Sequence, residues 1–217
     1  MRSHQKSDLA RERLLDKAEI LFAQKGYHAV TVREITKAAT CNLASVNYHF
    51  GNKKNLYLDV FRVRWMPRAK GLQKFFRDSL AAKEVSAPAV IIQALARAFL
   101  EGPFSDEERQ RHFQLMTREM SQPTEAFEFV ANHVMQPFYN ELADMFEAFV
   151  PDGLPRERLL LKIMSIFSIV LHFNFARTAV AHVTGREYDT SFKVQLIDHI
   201  IDFALAGLYG SQKETIA

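Results

Sequence analysis

The chain holds a single cysteine, Cys41, in 217 residues. That excludes an intramolecular disulfide framework and any cysteine-based zinc cluster within one chain. Glycine (8) and proline (7) are both scarce, which argues against an all-β chain of tight turns and against collagen-like or low-complexity classes. The opening segment MRSHQKSDLARER has no apolar core, so no secretory signal is expected. The longest uncharged stretch of membrane-like composition, 163–176, is interrupted by His172 and Asn174 and falls short of the roughly 20 apolar residues of a spanning helix. A cytoplasmic chain without a membrane partner is the expectation. G-x-S-x-G, H-E-x-x-H and a glycine-rich phosphate loop are all missing, so no catalytic residue and no cofactor is expected. His112, His133, His172 and His199 match no ligand spacing, and no metal is expected. A basic helix lying on anionic lipid needs segregated Lys and Trp faces, which the chain does not show.

Apolar residues make up 48% and charged residues 24%, ordinary usage for a folded chain with a real core. The net charge of +3 hides a division. Residues 1–70 carry 14 Lys/Arg against 6 Asp/Glu, while 71–217 carry 14 against 19. A basic end on a mildly acidic remainder is the pattern expected when one part meets a polyanion. Fifteen of the 18 Phe lie after residue 70, and every Pro after residue 66.

The punctuation is helical throughout. Leu14, Ala18, Leu21 and Phe22 form one stripe of a helix over Ala10 to Lys25, closed by Gly26. Thr31-Val32-Arg33-Glu34 is a capping box opening a short helix to about Ala39. Asn42 caps a second short helix over Leu43 to Phe50, and Asn52 a third from Lys53 to Met66, which is expected to break before Pro67. Further helices are expected at 68–82, 87–101, 106–120, 124–149, 155–181 and 191–208, with Ser105-Asp106-Glu107-Glu108 a second capping box, an all-α chain of about nine helices. The division falls at a domain over 1–55 and a larger one over 56–217.

Two short helices joined by a three-residue turn and backed by a longer one have the spacing of a helix-turn-helix, whose second helix enters the major groove. That helix offers Ser45, Asn47, Tyr48 and His49, followed by Lys53 and Lys54, while Val46 and Phe50, four apart, anchor it. The segment LFAQKGYHAVTVREITKAATCNLASVNYHFGNKKNL resembles the N-terminal pattern of the TetR family of bacterial transcriptional regulators. The resemblance implies base or nearby phosphate contacts from Asn42, Leu43, Ala44 and Ser45, and a backbone grip by Tyr48, His49 and Lys53. Thr31 and Arg33 are further phosphate candidates. The chain departs from the common pattern at Thr40, where Gly is usual, at Leu43, where a polar or basic residue is frequent, and at Asn47, where Tyr is frequent. Asn47 pairs with adenine or satisfies a phosphate.

The segments 155–181 and 191–208 are apolar around most of their circumference, so one face of each is expected to meet a second subunit. Leu159, Ile163, Ile166, Val170, Ile197, Ile200, Ile201 and Ala204 are the candidates; the competing reading is that they form the core of one chain. The resemblance agrees with a homodimer built on a four-helix bundle. A two-fold dimer sets its recognition helices about one turn of DNA apart, roughly 34–36 Å, and implies a palindromic double-stranded operator. A small hydrophobic effector is expected among Phe99, Phe113, Met116, Met120, His133, Phe138 and Phe173, with Phe129 and Met135 nearby. LMTREMSQPTEAF and TGREYDTSF with DHIIDFALAGL are similar to the CecR-type branch of the family. The reading is a ligand-responsive repressor; the alternatives are an activator of the same fold, or a helical enzyme or metal-dependent sensor.

Overall fold

A computed structural model describes residues 2–209, with side chains from 7 onward. Among these residues the chain is helical with no strand. The α-helical segments are α1 (Arg2–Lys25), α2 (Val32–Ala38), α3 (Ala44–Phe50), α4 (Lys53–Val60), α5 (Met66–Ala81), α6 (Pro88–Leu100), α7 (Asp106–Ser121), α8 (Glu125–Val130), α9 (Gln136–Glu147), α10 (Arg156–Phe175), α11 (Arg177–Thr184) and α12 (Thr190–Tyr209). Two π-helical turns, Phe61–Trp65 and Ala131–Met135, join α4 to α5 and α8 to α9. The chain forms two compact units. The first holds 1–70 and 104–134, the second 71–103 and 135–217. The first unit thus takes in α7 and α8 beyond residue 55, because α7 packs along α1 and α8 on α4.

The local signals read from the sequence place the short helices. Thr31 and Glu34 form the capping box reciprocally, and Ser105 with Glu108 does the same for α7. Asn52 accepts the Asn55 N–H at 2.9 Å at the head of α4, and Gly26 turns left-handed at φ 82° after α1. Two expectations are corrected. The helix does not break before Pro67. The π turn ahead of it sends the Met66 N–H back to the Phe61 carbonyl, which moves the carbonyl a proline ring would strike out of its way. Pro137 follows the second π turn at the same offset. The segment 155–181 is not one helix. It stops at Ala176, where ψ is 23°, and Arg177 donates to the Asn174 and Leu100 carbonyls there.

In the first unit Leu14, Leu15, Ala18, Phe22 and Ala23 of α1 are fully buried. The flank of that face carries Glu12, Asp16 and the buried Glu19 at helical spacing. Arg64 binds Glu12 and Asp16 at 2.6 and 2.8 Å, Arg68 chelates Glu19, and Arg11 reaches Asp59 at 2.9 Å. These pairs use acids of the same end, so its basic excess is carried by the Lys and Arg left outside them. In the second unit α6 packs against α10 and α12, and α9 against α10.

By length and composition α10 is long and apolar enough to cross a membrane, with a mean hydropathy of 1.5 over 18 residues. This corrects the expectation drawn from 163–176, which left out the earlier turns from Arg156. One stripe of α10, through Leu159, Ile163, Ile166 and Val170, is nevertheless buried within the chain, as in the core helix of a folded unit.

Candidate nucleic-acid interface

Between α2 and α3 the chain closes with a Schellman turn: the Cys41 N–H donates to the Thr36 carbonyl at 2.9 Å and the Thr40 N–H to Lys37 at 3.2 Å. Thr40, the residue between, takes φ 52°. Asn42 then caps α3, its Oδ1 accepting from the Ser45 N–H and hydroxyl at 2.9 Å each. Val46 and Phe50 are buried, at 0% and 6% exposure. Each such large apolar side chain contributes about 1.5–3 kcal/mol when fully buried. With that face sunk, α3 turns the rest of its circumference outward. Asn42, Leu43, Ala44 and Asn47 are exposed, Ser45 and His49 half-buried, and Tyr48 is 79% exposed.

The structure therefore brings the ten expected contact residues to the surface of one three-helix substructure, with differences in availability. Thr31 is exposed, but its hydroxyl and N–H both donate to Glu34, at 2.9 and 2.8 Å. Those bonds, with the Lys25 ammonium at 3.0 Å, hold the Glu34 carboxyl down at about 2. A phosphate at Thr31 must displace a fixed carboxylate. Arg33 is exposed and has no carboxylate partner among the described residues. Lys53 rests its Nζ 4.4 Å above the Tyr27 ring, where partial burial lowers its pKa against the raising influence of Glu34. His49 is held below the ordinary imidazole value by partial burial and then by the Arg11 charge. Sequence reading missed Lys37, exposed four residues after Arg33 on the same face of α2. The i,i+4 basic pair was the available signal. Lys54 is occupied by Glu125 at 2.5 Å.

The expected effector residues fall in both units. Phe99, Phe138 and Phe173 belong to the second unit, and Phe113, Met116, Met120 and His133 to the first. Phe99 packs edge-on to Phe167 at 5.1 Å, Phe138 lies 6.2 Å from the same ring, and Phe173 meets His199 at 5.6 Å. Met120 is 64% exposed, Met116 half-buried, and His133 exposed with Nδ1 2.8 Å from the Phe129 carbonyl. Phe113 alone of the seven lines the cleft of about 550 Å³ in the first unit, beside Tyr27, His28, Tyr57 and Arg118.

The expected dimer residues are mostly buried in their own chain. Leu159, Ile163, Ile166, Val170, Ile197, Ile200 and Ala204 are each at most 4% exposed within the single chain, so they are already covered. Only Ile201 is partly exposed. The exposed apolar side chains are others: Leu161 and Met164 on the side of α10 away from that buried stripe, and Val194 and Phe203 on two different flanks of α12. A helix apolar on two sides has two candidate stripes, and its periodicity does not say which one its own chain covers.

The comparisons agree with this geometry. The model described as bacterial regulatory proteins, tetR family, matches residues 14–60, and that of the C-terminal domain of the HTH-type transcriptional dual regulator CecR matches 88–208. The chain is 25% identical over 216 residues to CecR of Shigella flexneri, covering 94% of each. It is 38% identical over 47 residues, 22% of this chain and 25% of the relative, to the biofilm operon icaADBC negative transcriptional regulator IcaR of Staphylococcus aureus. A crystal structure of a TetR-like transcriptional regulator from Rhodococcus sp. RHA1 shares the fold, with a TM-score of 0.65 and 16% identity, over 93% of this chain and 96% of that one. A helix-turn-helix surface at the head of an all-helical chain, and a family match over more than half its length, lead to one conclusion: the chain belongs to the TetR family of bacterial transcriptional regulators, with a C-terminal domain of the CecR type.

Proposed function

We propose that the chain is a homodimeric, effector-responsive repressor that binds a palindromic duplex operator. The observation that carries this reading is α3, pinned by Val46 and Phe50 and presenting Tyr48, Asn47 and the Asn42–Ser45 turn outward. Backbone phosphates are met by Lys53, Tyr48, Arg33, His49 and the head of α2 at Thr31; base edges are met by Asn42, Leu43, Ala44, Ser45 and Asn47. The exposed apolar side chains Leu161 and Met164 on α10 and Phe203 on α12 support a second copy as their cover. A small hydrophobic effector preferring a wider spacing of the two recognition helices lowers DNA affinity by its differential binding to the two states. Repression is favoured by the negative regulation named for the Staphylococcus aureus relative, while the dual role named for the Shigella relative keeps activation as the second reading.

The test is fluorescence anisotropy with an inverted-repeat duplex from the DNA flanking the gene, against a scrambled duplex. Tighter binding to the inverted repeat is expected, and equal affinity for both sinks the reading. Lys53→Ala is expected to weaken both duplexes alike and to lower the salt slope by about one. Deleting the gene separates the two regulatory signs: transcription of the neighbouring gene rises under repression and falls under activation.

A further inference from the structure

The first unit contains a cleft of about 550 Å³ with Gly26, Tyr27 and His28 on the α1–α2 connection, Tyr57 on α4, and Phe113, Thr117 and Arg118 on α7. Its buried acid is fully spent. Glu119, 1% exposed, accepts the Tyr57 hydroxyl on one oxygen, and on the other the Thr124 N–H, the Thr124 hydroxyl and the Phe127 N–H at 2.9–3.0 Å. Its basic group is not spent in the same way. Among the described residues Arg118 meets neutral oxygens, the Ala23 and Gln24 carbonyls, and those bonds use Nε and Nη2. Nη1 remains beside Gly26, 3.2 Å from where a Cβ on that residue would stand. A guanidinium edge without a carboxylate partner, in a cleft also lined by three aromatic rings, has the chemistry to receive a flat acid.

We propose that this cleft is an effector site for an aromatic carboxylate, its ring among Tyr27, Tyr57 and Phe113 and its carboxylate on Arg118. The site narrows the effector class of the repressor reading and rests on that reading for its consequence. Tyr27 is the ring on which Lys53 sits, so the occupant shares a side chain with the phosphate-gripping lysine. It also brings a negative charge into the unit that faces DNA. Both effects weaken the hold on phosphate.

The experiment titrates full-length protein with 1-naphthoate by calorimetry, with neutral 1-naphthamide as the control. Naphthoate is expected to bind one equivalent per chain and naphthamide about tenfold more weakly or worse. Thr117→Trp, which fills the cleft from an exposed position, is expected to abolish binding while keeping the wild-type melting temperature and helical circular dichroism. Arg118→Met is expected to equalise the two ligands. No heat with naphthoate at millimolar concentration, equal affinity for the amide in the wild type, or unchanged binding in folded Thr117→Trp each overturns the site. Saturating naphthoate is further expected to lower the salt slope for a mixed-sequence duplex by about one; an unchanged slope overturns the coupling to Lys53. Failure of the free protein to bind any duplex strikes the repressor reading alone, since naphthoate binding is measured without DNA.

Discussion

Thr40 holds a backbone conformation that L side chains avoid. Its φ of 52° places a β-branched residue in the left-handed region, at a cost of roughly 1–2 kcal/mol. The Schellman bonds of Thr40 and Cys41 demand that conformation, and the Thr40 side chain is exposed, so little packing repays it. Thr40→Gly is therefore expected to raise stability by about 0.5–1 kcal/mol, after the unfolded-state entropy of glycine is set against the strain. An unchanged urea midpoint would show that the strain is absent. His112 acts in the opposite direction. It is stacked on Trp65 at 4.3 Å, and burial, then the Arg68 charge, push its pKa from 6.5 to about 3. The unfolded chain binds this proton below about 6.5 and the native chain only near 3, so stability falls as pH drops between those values. His112→Phe keeps an aromatic ring for Trp65 and is expected to flatten that loss. Urea titrations at pH 7 and pH 4.5 check it, and parallel losses in the two proteins remove His112 as the cause.

Among the elements, the caps were legible in the sequence because they are local. Thr31/Glu34, Ser105/Glu108 and Asn52 each act within three or four residues, and their spacing alone determines the bonds. Two junctions were not legible. Pro67 follows a π turn and so leaves the helix continuous, whereas an isolated proline rule places a break there. Arg118 closes the end of α1 by donating to the Ala23 and Gln24 carbonyls across 94 or more residues of sequence, which no window of helical periodicity reveals. Arg118→Met is expected to leave those carbonyls without their charged donor and to cost about 1.5–3 kcal/mol. Hydrogen exchange should show the loss as faster exchange in the last turn of α1; protection equal to wild type would mean that water replaces the guanidinium without cost.

At the scale of the molecule, the proposed dimer rests on the exposed apolar side chains of α10 and α12. Phe203 is 60% and Leu161 57% exposed, on helices whose other sides are sunk in their own chain. Phe203→Glu is expected to give monomers in sedimentation velocity and to weaken binding to an inverted-repeat duplex, while chain helicity stays as in the wild type. The control is Ile200→Val: Ile200 is fully buried, so the change costs about 0.5–1.5 kcal/mol of stability and leaves the oligomeric state alone. A Phe203→Glu protein that still sediments as a dimer moves the interface elsewhere.

The short-range chemistry of the chain settled the helical class, the helix-turn-helix and its outward residues. Caps, turn residues and the Val46–Phe50 pair act over one or two helical turns, and one sequence window contains them whole. Tertiary structure alone decided which stripe of α10 and α12 is covered, that α7 and α8 join the DNA-binding helices in one unit, and that Arg118 and Glu119 spend their charges differently. Each of these depends on which distant surface reaches a group first, and a repeating apolar pattern carries the period of a helix without the phase of its neighbours.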